Sequence, residues 1–181
     1  MLRFPYQRIQ PARASPGVLP QPGFFKRILG VFTGKPRAHR PLPGSVPHDV
    51  EARPFVAVRI RGPIAARRLK YALLDSGSSD TLFPMELVES LGIILGGEKQ
   101  TVHWRGQGFG VEFHIVELEL AQGGLAWRWR ARVGFTAAPL SYALLGQRGC
   151  LDYFDATFRG ADQVAELEIN RSFPGTVSSA T

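Results

Sequence analysis

The chain has a single cysteine, Cys150. One thiol closes no internal disulfide and supplies no multi-cysteine zinc or iron–sulfur site, and the residue reads as a small buried hydrophobe in a reducing compartment. Histidine is scarce as well: His39, His48, His103 and His114 lack the spacing of a metal-binding helix such as H-E-x-x-H, so no metal site is expected. Nowhere do about 18 apolar residues run together, which excludes a membrane-spanning helix. Met1-Leu2-Arg3-Phe4-Pro5 lacks the apolar stretch of a secretory signal, and the expected location is cytoplasmic. Acid is nearly missing from the first 50 residues, where eight Lys/Arg face only Asp49, so the whole net charge of +7 arises there. Such a segment touches anionic surfaces weakly, by charge alone, and implies no specific nucleic-acid partner.

What is present suits one β-rich domain with a tail. The chain has 181 residues, 44% hydrophobic and 20% charged, ordinary values for a chain that buries a core. Twenty glycines and 14 prolines favour short strands and frequent reversals over long helices. Nine of those prolines lie in residues 1–50, each removing a backbone donor, and that basic segment reads as disordered. Within it Phe24, Phe25, Ile28, Leu29 and Phe32 share a helical face, but nine residues are marginal for an isolated helix, which needs about 12 to 15.

From Pro54 the pattern is one of strands. Phe55–Ile60 and Leu69–Leu74 are apolar and rich in strand formers, with a Gly62-Pro63 turn between them. Thr81-Leu82-Phe83 resumes an extended run, and Pro84 as first helical residue opens a two-turn helix over Met85–Leu91 that Gly92 stops. Lys99–Trp104 and Val111–Leu120 form a hairpin around the glycine-rich stretch Arg105–Gly110. In 125–133, Trp127, Trp129, Ala131 and Val133 alternate with Arg128, Arg130 and Arg132, the period of a half-buried strand. The arginines read as a solvated face, with phosphate binding as the alternative. Tyr142–Gly146 is a further strand, and Tyr153–Phe158 with Val164–Ile169 a closing hairpin, with Asp152 and Asp155 solvated at its start. Residues 51–170 make the domain and residues 171–181 a flexible tail.

The chemistry concentrates in Leu73-Leu74-Asp75-Ser76-Gly77-Ser78-Ser79-Asp80-Thr81. A carboxylate that ends a buried apolar strand needs donors or a shared proton. Gly77 lets the backbone turn its amides toward Asp75, and Ser76 and Ser78 add hydroxyls. As a plain polar turn the motif is common.

With Thr81-Leu82-Phe83-Pro84, the helix ending Leu91-Gly92-Ile93, the hairpin at Trp104–Gly110 and Leu144-Leu145-Gly146 about seventy residues beyond the aspartate, residues 54–170 resemble the retropepsin-like, single-domain aspartic proteases, including bacterial members. The resemblance implies a mainly all-β, single-lobe acid-protease barrel, closed, with one or two short helices and a flap hairpin. Its active-site floor would be the Asp75 loop with Leu144, Leu145 and Gly146, and its flap would present Trp104, Arg105, Gly106, Gln107 and Gly108 to an extended peptide. Family chemistry uses two aspartates sharing a proton, and this chain has one such motif. Asp49, Asp80, Asp152, Asp155 and Asp162 lack its context, so the dyad would come from Asp75 of two chains in a homodimer. One Asp75 would activate water and the other polarise the scissile carbonyl, without metal or cofactor. Ser76 would brace the two loops against each other, and Ser78 would donate to the carboxylate. Ser79 stands where retroviral relatives commonly have an acid, so the resemblance does not carry over the contacts that acid makes to substrate backbone; Gln147 stands where many relatives have arginine, with Arg148 next. Two other functions fit the same residues: a catalytically silent module of this fold that binds extended peptides or a protein partner, and an adaptor working through residues 1–50.

Overall fold

In the computed structural model the described residues are 1–9, 51–104 and 106–179. The chain divides into two compact units, one of Met1–Gln7 with Ala52–Thr181 and one of Arg8–Glu51. The expected helix face of Phe24–Phe32 lies outside the described residues.

The described chain is mainly β. Its strands are β1 (Leu2–Pro5), β2 (Gln7–Ile9), β3 (Glu51–Arg53), β4 (Phe55–Arg61), β5 (Ala66–Leu74), β6 (Leu82–Pro84), β7 (Glu98–Trp104), β8 (Gln107–Gln122), β9 (Leu125–Thr136), β10 (Ala143–Leu145), β11 (Phe154–Arg159), β12 (Val164–Ile169) and β13 (Thr176–Ser179). One short helix, α1 (Leu87–Leu91), follows β6, and a 3-10 turn (Leu151–Tyr153) precedes β11. Eight strands form a large mixed sheet in the order β13-β9-β6-β10-β5-β4-β8-β7, with β8 and β9 also paired to each other; β1-β12-β11 make a smaller antiparallel sheet. Among the described residues no helix is long and apolar enough to cross a membrane.

The expected alternation in β9 holds: Trp127, Trp129, Ala131, Val133 and Phe135 are buried while Arg128 and Arg130 are exposed. Trp127 stacks on Phe154 with ring centroids 5.4 Å apart, and Phe173 packs on both tryptophans. The one polar atom of Trp129 is satisfied, since its Nε1–H donates to Gly149 O (2.9 Å). In β8 the burial changes face: Val116, Leu118 and Leu120 enter this main core, whereas Val111 and Phe113, of opposite parity, enter a second cluster. Cys150 is buried, and burial pushes its thiol well above the usual range, so it packs as the expected small hydrophobe.

Four expectations need correction. Leu2–Pro5 is not part of a disordered tail: Leu2 and Phe4 are buried in alternation, and β1 pairs with β12 in the register Leu2↔Leu167 and Phe4↔Ala165. Pro5 is tolerated because it closes an edge strand. Thr176–Ser179 is not a flexible tail either, because it pairs with the start of β9, Val177 opposite Trp127. Pro84 ends β6 rather than opening the helix: the Met85 amide donates to Thr136 O (2.9 Å), which holds the chain in the sheet, and α1 begins at Leu87. Gly92 does stop it, at φ 69°. Finally, the glycine-rich stretch is mostly strand: β7 runs to Trp104, which is opposite Gln107, so only residues 105 and 106 connect the hairpin. Gly106, at φ 81°, supplies the positive φ such a short connection demands.

Candidate active site

The site starts from the end of β5. β10 lies parallel beside it in the register Ala143↔Ala72, Leu144↔Leu73 and Leu145↔Leu74, and the ladder continues one step as the Asp75 amide donates to Leu145 O (3.1 Å). β10 is short, apolar and buried throughout, and β5, polar and exposed over its first half, becomes apolar and buried where it meets β10 at Ala72–Leu74. The chain then leaves β5 as a tight loop: Gly77 N–H donates to Asp75 Oδ1 (3.0 Å), and Ser78 N–H to Asp75 O (3.1 Å). Asp75 is half-buried, and Ser76 and Gly77 are exposed. The tight turn expected of Gly77 is therefore present, with a backbone donor on the carboxylate.

Ser78 differs from expectation. Its hydroxyl donates to Asp80 O (2.7 Å), and no bond from Ser78 to the Asp75 carboxylate is formed. The chain bends at Ser79, and the hydroxyl tightens the loop rather than feeding the acid.

The loop is clamped to the strand-end Leu144-Leu145-Gly146. Gln147 N–H donates to Ser78 O (2.9 Å), Arg148 N–H to Ser79 O (3.0 Å), Thr81 N–H to Arg148 O (3.0 Å), and the Gln147 side-chain amide to Ser76 O (3.2 Å). Gly146 is required by this closeness, because a Cβ there would collide with the carbonyls of Asp80 and Ser78. Arg148 forms a bidentate pair with the buried Asp80 (Nε–Oδ1 2.8 Å, Nη2–Oδ2 2.5 Å), which also raises the arginine's affinity for its proton. Arg132 of β9 adds a third contact to Asp80 at 3.6 Å.

The hairpin β7–β8 stands next to this floor. Leu82, Val111, Phe113 and Leu144 form the second buried cluster, with Leu73, Val102, Leu140 and Tyr142 packed on it. One apolar patch therefore joins the strand before Asp75, the floor and the base of the hairpin. Farther out, Gly106, Gln107 and Gly108 are exposed at the hairpin's end; Arg105 lies outside the described residues, and Trp104 is placed by its backbone pairing with Gln107. At the base, Arg132 lies over the Phe113 ring (3.6 Å to the centroid) and donates to Glu98 of β7 (2.5 Å), and this hydrogen bond holds the Glu98 carboxyl below its usual range.

Of the residues named from the sequence, Asp75, Ser76, Gly77, Ser78, Leu144, Leu145 and Gly146 are brought together, while Gly106, Gln107 and Gly108 stand at the exposed hairpin end. Sequence reasoning missed Leu73, Leu82, Val102, Val111, Phe113 and Tyr142 as the apolar patch. The signal was available in β8, where the apolar parity changes between Phe113 and Val116. The Asp80–Arg148 pair carried no such signal, since it joins residues 68 apart in sequence. His103 is exposed at the hairpin and His114 lies beside Phe135, and among the described residues no group of three or more His, Cys, Asp or Glu is placed to hold a metal. No protein-family model, curated protein or solved structure matches this chain.

Proposed function

We propose that the chain is an aspartic endopeptidase of retropepsin-like, single-lobe type that acts as a homodimer. The observation that carries the reading is the parallel pairing of β5 with β10, which sets the Asp75 loop against Leu144-Leu145-Gly146 at hydrogen-bonding distance. Three others support it. The β8–β9 pairing turns the large sheet back on itself, as a closed single-lobe barrel requires. Leu73, Val102, Leu140 and Tyr142, partly exposed around the buried cluster near Asp75, suit side chains of an extended peptide covered by the β7–β8 hairpin as a flap, with Gly106, Gln107 and Gly108 at its end and Leu144 in the floor. And Asp80, the other carboxylate of the loop, is committed to Arg148, so it is not the second member of a dyad.

The mechanism follows from the shared proton. Two Asp75 carboxyls meeting across a two-fold axis cannot both ionise, because like charges at about 3 Å repel too strongly. The ionised one takes a proton from water as that water attacks the peptide carbonyl; the protonated one donates to the carbonyl oxygen, and the proton then passes to the leaving nitrogen. Gly77 N–H, already on Asp75 Oδ1, fixes the orientation of that carboxyl. The chemistry calls on no cofactor.

The test is cleavage of an unbiased peptide mixture from acid to neutral pH by the protein and by Asp75→Asn, with the oligomeric state measured in parallel. Cleavage lost in the variant, in step with dilution below the dimer, is expected. No cleavage from a folded dimer would overturn the catalytic reading and leave peptide binding as the function of the patch.

A further inference from the structure

The arginines of β9 do not simply face solvent. Register places Arg68 of β5, Arg59 of β4, Glu119 of β8 and Arg128 of β9 in one row across four neighbouring strands. Above the row is a groove of about 410 Å³ whose floor is Ala57, Ala121 and Ala126 and whose end is the Gln122–Gly124 turn. The turn is fixed in place, since the Gln122 side-chain amide donates to Arg3 O (2.7 Å). This volume is that of a small-molecule site. It lies far from Asp75: Arg68 precedes it by seven residues along β5, roughly 20 Å of extended chain.

The charges in the groove do not cancel. Glu119 is buried and accepts from Arg128, with Arg59 Nε at 3.6 Å. That single carboxylate fixes two guanidiniums, each of which keeps further N–H donors directed elsewhere. Arg68 makes no ion pair among the described residues. Three guanidiniums held by strands against one acid leave an excess positive charge over a floor of small side chains, an arrangement that fits planar or tetrahedral oxyanions.

We propose that this groove binds a small molecule carrying at least two oxyanion charges, a phosphate ester or a polycarboxylate. The proposal is independent of the peptidase reading and needs neither Asp75 nor a dimer. Glu119 acts as the positioning residue, ordering Arg59 and Arg128 so that the ligand does not have to.

Titration of the full chain with pyrophosphate and with citrate, at ionic strength held constant with chloride, tests it by calorimetry and by amide shifts of residues 121–126. Saturable one-to-one binding of either probe is expected, the tighter one naming the ligand class. Arg68→Ala should weaken it at least about tenfold, the loss of one charge-assisted contact. Ala121→Leu, which fills the floor without changing charge, should abolish it while leaving cleavage by Asp75 unaffected. Neither probe binding better than chloride, or binding that survives both substitutions, would overturn the proposal.

Discussion

A carboxylate at a strand end has to find donors, and Asp75 finds its donor in the backbone: Gly77 N–H reaches Oδ1, while the Ser78 hydroxyl goes to Asp80 O. This division assigns the two residues different work. Gly77 sets the acid, and Ser78 sets the loop that carries it. Ser78→Ala should then leave the pH profile of cleavage where it is and cost about 0.5 to 1.5 kcal/mol of stability, the worth of one hydrogen bond. A denaturant series beside a pH–rate profile checks both. An acid limb displaced in the variant would show that the hydroxyl serves Asp75 after all. Which residue types meet at this site was legible in the sequence, because an apolar run ending in acid, hydroxyl and glycine marks a tight polar turn at a strand end. Where the Ser78 hydroxyl points was not, since that depends on a carbonyl two residues on, whose direction only the folded loop sets.

At the scale of elements, the strands named from periodicity are present from Phe55 to Ile169, because alternation and apolar runs report burial directly. The two ends were misread. Proline and charge in residues 1–50 dominated the reading of a segment whose first residues, Leu2-Arg3-Phe4-Pro5, already alternate. Four residues give too short a pattern to stand against such composition, and the partner strand β12 lies some 160 residues away. The consequence is practical. Residues 10–50 follow β1 and β2 in the chain rather than preceding the first strand, so removing residues 1–50 to test the basic segment also removes β1 and β2. Leu2 and Phe4 are each almost fully buried, and each such side chain is worth about 1.5 to 3 kcal/mol. Deleting residues 1–7, or replacing both side chains by alanine, should lower stability by about 3 to 6 kcal/mol. A loss under about 1 kcal/mol in denaturant unfolding would mean that β1 contributes little to the domain.

For the whole molecule, the ion pairs give the fold a definite response to acid. Glu166 of β12 accepts from Arg159 (2.8 Å) and Arg3 (2.9 Å), tying β11 and β1 to one carboxylate, and the Arg159 hydrogen bond is the main reason its carboxyl lies below the usual range. Glu98, held by Arg132, plays the same part at the base of the hairpin in the large sheet. A carboxyl whose folded-state affinity for protons is lowered adds stability that is complete above the ordinary glutamate range and is lost as pH falls through the lowered folded value. Both sheets should therefore weaken together in acid. Comparing the melting temperature of the parent with that of a Glu98→Gln, Glu166→Gln double variant checks this. At neutral pH the variant should melt lower, and the gap should close as pH drops below the glutamate range, because the parent then carries the same uncharged groups. A gap independent of pH would show that these pairs act through packing alone. A closing gap would mean that Glu98 and Glu166 hold the two sheets only while ionised, so that the acid limit of the fold is set by protonation of these two carboxyls.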